Sequence, residues 1–184
     1  MVQAVAGSNP VAHPSRTAPA ERNAATPATV GAVAYVASEA RQQLNDDLAR
    51  ATDELGVALA ALGAAYEQLD VDSADRLEEQ LFRPVQAAYA AARRTHAGFA
   101  GRHGLQDRTF ETASAGLPSQ GVKGFLENAV EAVGRADTAI AELQDSMMPV
   151  EVGDAELRKG LADVRELLAD VRSRADGLLR TFGR

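Results

Sequence analysis

Between positions 93 and 103 the stretch RRTHAGFAGRH carries Arg93, Arg94, His96, Arg102 and His103, in a chain whose formal net charge is −7. Guanidinium and imidazole groups at this density suit three kinds of chemistry: metal ligation, activation of a nucleophile, and anion binding. A di-metal centre in a helical protein needs inward glutamates and Glu-x-x-His pairs. Three places before His96 and His103 stand Arg93 and Ala100, so no metal site is expected. Ser114 or Ser119 could be lined up with His103 and Asp107 as a triad. No nucleophile elbow or strand frames them, and a serine at a helix start is ordinarily a cap. Anion binding is left, with Arg93, Arg94, His96, Arg102, His103, Arg108 and Lys123 as the candidate surface for a phosphate-rich ligand or an anionic partner. His96 and His103 are seven apart and fall one position beyond the seam places Thr95 and Arg102. Both are expected partly exposed, adding charge as pH falls through the histidine range.

Lys123 belongs to GLPSQGVKG, 116 to 124, which departs from a phosphate-binding P-loop: Val122 separates Gly121 from the lysine, Gly124 follows it, and no strand precedes. Ser119 is expected to cap the helix that opens there. The acidic pairs Asp46–Asp47 and Glu78–Glu79 lie off the apolar stripe and are expected to be solvated. With no tryptophan, an acidic balance, and only Phe99 and Phe110 near the basic cluster, sequence-specific nucleic-acid binding is not expected.

Cysteine is absent, which removes disulfides, thiolate metal sites and cysteine nucleophiles. No run reaches the roughly 18 apolar residues of a membrane span, and the amino terminus lacks the basic and apolar regions of a secretory signal, so a cytoplasmic location is expected. Residues 1–25, rich in Ala, Pro, Ser and Thr, have no apolar period and are expected to be a disordered tail. Residues 26–184 should form one domain, its interior filled by small aliphatic side chains.

Those side chains repeat at helical spacing in four segments, expected at about 27–69, 73–103, 119–147 and 154–182. Val122, Leu126, Ala129, Val133, Ala136, Ile140, Leu143 and Met147 step by four and three, as do Leu157, Leu161, Val164, Leu168, Val171, Ala175, Leu178 and Phe182. Such repeats favour coiled-coil-like packing. Pro84 should kink or break the second segment. The expected fold is an all-α, elongated antiparallel four-helix bundle in up-down-up-down order; a long self-associated coiled coil is the alternative. The connection 104–118 is unusually long and marks the place to look for function.

In that order the end of segment two, the start of segment three and the end of segment four share one pole, gathering the candidate cations with Arg172, Arg174, Arg180 and Arg184. The other pole gathers Glu67, Asp70, Asp72, Asp145, Asp154 and Glu156. A non-enzymatic protein without cofactors is expected, mediating protein–protein interaction or head-to-tail self-assembly through complementary poles. The alternative is an anion-binding module built on the basic pole.

Overall fold

Residues 27–182 are described by a computed structural model, with side-chain surroundings over 35–181, and helix is the only regular structure among them. The tail expected at 1–25 lies outside these residues. Helix α1 spans Pro27–Tyr66, and its buried positions Leu44, Leu48, Ala51, Leu55, Ala58, Leu62 and Ala65 alternate by four and three. A short turn leads to α2, Val71–Leu77. Its cap is Asp70, whose carboxylate accepts the Ser73 N–H at 3.0 Å, so this segment starts at Val71, two residues before the expected 73.

Pro84 neither ends the second segment nor breaks it. One π-helical turn, Glu78–Phe82, joins α2 to α3, Arg83–His103, and the Arg83 N–H reaches back five residues to the Glu78 carbonyl. The widened turn absorbs an extra residue just before the proline, which then sits where a missing N–H does least harm. Helix α3 stops at Gly104, left-handed at φ 64°, where the Leu105 N–H bonds the Ala100 carbonyl at 2.9 Å and Leu105 tucks against the core.

Helix α4, Gly121–Asp145, follows a 3₁₀ turn at Pro118–Gln120. Ser119 lies inside that turn and caps nothing; the residue before α4 is Gln120. A single turn, α5 (Met148–Glu151), leads to α6, Ala155–Leu168, capped by Asp154. The fourth segment is interrupted at Ala169–Asp170 before α7, Val171–Phe182. The apolar spacing runs through the interruption, with Leu168, Val171, Ala175 and Leu178 all buried.

Contacts fix the neighbours and their directions. Helix α1 packs between α3 and α4, and α6 packs against the same two, with α7 continuing along α4. Glu54 pairs with Arg135 at 2.8 Å, while Gln43 and Asp47 border the same groove as Glu142 and Ser146, so α4 runs opposite to α1. Gly56 faces Tyr89, and Asn45 borders a groove with His96, so α3 also runs opposite to α1. Arg102 meets Asp154 and Thr95 meets Gly160, so α6 runs opposite to α3.

The order is therefore up, down, down, up, and the expected alternation fails at the third and fourth segments. Helices α3 and α4 point the same way, so residues 104–117 must travel the length of α4. That helix is about 37 Å long, and 14 extended residues reach about 45 Å. Topology thus demands the long connection. The expected poles dissolve with the alternation: Arg102 and His103 share an end with Asp145, Asp154 and Glu156, while Lys123 and the α7 arginines share the other with Glu67, Asp70 and Asp72. Arg184 lies outside the described residues.

The same register shows that α1 outruns its neighbours. Asp145, the last residue of α4, is ten beyond Arg135 and so level with position 44, ten before Glu54. Leu44 is the first fully buried α1 side chain among those described, and Tyr35 and Val36, further out, are 66% and 63% exposed.

Candidate functional site

The carboxyl-terminal half of α3 is where the sequence concentrates its cations, and the structure sorts them into three settings. Arg102 and His103 close on the amino end of α6. The Arg102 guanidinium grips the Asp154 carboxylate with Nε at 3.0 Å and Nη2 at 2.9 Å, and its Nη1 reaches Glu156 at 2.7 Å. His103 Nε2 lies 2.9 Å from the same carboxylate, its ring against Phe99. Asp154 also accepts the Leu157 N–H at 2.8 Å as the helix cap. Burial works to raise the Asp154 carboxyl, but the bonds from Leu157, His103 and Arg102 outweigh it and hold it below the usual carboxylate range. This cluster is a clamp between helices whose charge is spent internally.

Arg93 and Arg108 form the second setting, both over the Phe110 ring at 6.0 and 5.5 Å, with Arg93 also 5.5 Å from Tyr89. Arg108 reaches Asp53 at 2.9 Å; Arg94 is exposed and meets no carboxylate among the described residues. Phe110 is the anchor: a lone aromatic in a polar connection, it lies edge-on to His96 with ring centroids 5.3 Å apart and pins the strap across α3.

His96 is the third. Expected on an exposed flank, it is fully buried, because the strap covers the flank that the heptad phase leaves open. Neither ring nitrogen has a hydrogen-bond partner among the described residues, and Nδ1 stands 3.6 Å from the Asp107 carboxylate. Burial pushes the imidazole below the ordinary histidine range, against the opposing pull of Asp107.

Lys123 joins none of these; it sits at the opposite end of the molecule, 3.7 Å from Glu127. The hypothetical triad is likewise not assembled, since His103 faces Asp154, Asp107 faces His96, and the Ser114 hydroxyl accepts the Gly116 N–H.

Beside His96 lies a groove of about 570 Å³ between α1 and the strap, bordered by Asn45, Asp46, Gln106, Asp107 and Thr109. Asn45 is 4% exposed, its Oδ1 unpartnered and its Nδ2 3.5 Å from the Gln106 carbonyl. Only Asp107 among these figures in the sequence-level candidates. Asn45 follows the seam residue Leu44 by one and carries no signal of burial until the strap is placed over it.

Compared with known proteins, the chain matches no protein-family model, no curated protein and no solved structure.

Proposed function

We propose that the chain is a non-enzymatic interaction protein, an antiparallel four-helix bundle that self-associates through the protruding start of α1. One observation carries this reading: α1 continues beyond the ends of α3 and α4, with Tyr35 and Val36 exposed on the projecting part. In the sequence the apolar spacing of α1 continues outward through Ala40, Ala37 and Val33, with Val36 beside this stripe and Tyr35 on the other side of the helix, so the projection is apolar around most of its circumference. Paired large apolar side chains at such exposure favour a partner surface. A second copy offers the same stripe, and a twofold arrangement would pair the two projections.

Light scattering coupled to gel filtration is the test. A dimer mass that persists at high salt is expected, with reversion to monomer in the double variant Tyr35→Ser/Val36→Ser. A monomer at every concentration would remove the reading. Because both side chains are solvent-facing, the variant should keep its helical circular dichroism.

A second reading, an anion-binding surface, is favoured by Arg94 and Arg93 having no carboxylate partner among the described residues, with Arg93 lying over the Tyr89 and Phe110 rings. It is narrower than the seven-residue surface, resting on Arg93 and Arg94, since Arg108 is paired with Asp53. Saturating pyrophosphate should raise the melting temperature of the wild-type chain and not of Arg93→Ala/Arg94→Ala; no rise in the wild type would exclude it.

A further inference from the structure

The groove beside His96 is unusual for what its buried groups lack. Leaving a buried donor or acceptor without a partner costs about 1 to 3 kcal/mol, yet among the described residues Asn45 Oδ1 and both nitrogens of the fully buried His96 are unpartnered along one groove.

The charges around it are unequal in a specific way. Asp46 accepts the Gln42 amide at 2.9 Å, and Asp107 accepts the Arg108 backbone N–H at 2.9 Å; among the described residues neither meets a lysine or arginine side chain within 4 Å. The cations at the rim are already matched elsewhere, Arg50 to Asp47 and Arg108 to Asp53. The groove therefore presents two carboxylates without a lysine or arginine partner, a buried amide oxygen, the Gln106 carbonyl and an imidazole held neutral by burial, which offers one lone pair. This is a surplus of acceptors. Among the described residues no three or more His, Asp or Glu are grouped as metal ligands, so the surplus suits an organic cation with directional N–H donors better than a bare ion.

We propose that the groove between α1 and the 106–109 strap binds a protonated amine or guanidinium, with Asp46 and Asp107 supplying the attraction and Asn45 Oδ1 the buried acceptor. The source is either a small free cation or the side chain of a basic peptide, since both present the same head group. The site is separate from the protruding start of α1 and does not depend on self-association.

Titration calorimetry on the full chain can use two probes, agmatine and the blocked tripeptide acetyl-Gly-Arg-Gly-amide, with the citrulline tripeptide as a neutral isostere. Saturable binding of at least one cationic probe is expected, with none of the citrulline control. Asp46→Asn and Asp107→Asn should each weaken it about fivefold or more, and Asn45→Ala should weaken it while both carboxylates remain. Asp46 and Asp107 are matched in shape by asparagine, so unchanged melting of those variants separates lost binding from lost fold. Agmatine binding without the peptide identifies a free cation; peptide binding at equal or greater strength identifies a protein side chain. No saturable heat with either cation, or binding undiminished in Asp46→Asn/Asp107→Asn, overturns the proposal.

Discussion

Asp154 does three things with one side chain: it caps α6, holds Arg102 through two oxygens, and orients His103. Replacing it by alanine removes a cap worth about 0.5 to 2 kcal/mol and strands a partly buried guanidinium. A loss of about 2 to 3 kcal/mol is expected, read as a melting temperature lower by about 5 to 10 °C. Its depressed pKa also sets a sign. Because the folded carboxylate binds its proton less readily than the unfolded one, the stabilisation is whole above the unfolded value, and is lost as pH falls toward the folded value. His96 acts in the same direction at milder acidity. Its folded pKa lies below the ordinary histidine value of about 6.5, so below that pH the unfolded chain takes up the proton first and stability declines. Urea melts at pH 7.5 and 5.5 should show that decline in the wild type and a smaller one in His96→Phe.

At the scale of elements, the apolar stripes were legible because a three-four spacing is a local property: Leu126 to Leu143 and Leu157 to Leu178 are buried where the spacing puts them, whereas Met147, expected on the third stripe, is left-handed at φ 62°, lies beyond the end of α4 and is exposed. Breaks within elements were less so. The spacing passes unbroken over Ala169–Asp170, and the π turn before Pro84 depends on how one proline is absorbed. Glycines in helices show the same division. A Cβ on Gly160 would come 2.3 Å from the Thr95 hydroxyl, so α3 and α6 approach this closely only because position 160 has no side chain. Gly160→Ala should destabilise despite alanine's better helix propensity, and Thr95→Ala should recover part of the loss in a double-mutant cycle. At Gly134 a Cβ would meet nothing within 4 Å. Gly134→Ala should therefore stabilise by about 0.5 to 1 kcal/mol, measured by chemical denaturation.

Across the whole molecule, helix order decides which charges meet, and this was not legible from the stripes, since an apolar stripe is the same in either direction. One signal did exist. The connection from Gly104 to Leu117 can span α4 end to end, which a tight antiparallel turn would not require. With α3 and α4 parallel, Arg102 and His103 fall onto Asp154, the basic pole vanishes, and the strap buries His96 and builds the groove over Asn45. Spin labels on cysteines introduced into this cysteine-free chain test that order directly, at Gly101 paired with Asp145 and, separately, at Gly101 paired with Lys123. The 22 residues between the two α4 sites correspond to about 33 Å along the helix. Pulsed electron resonance should give the shorter distance for 101–145 and a much longer one for 101–123. The reverse ranking would restore the alternating order and contradict the account.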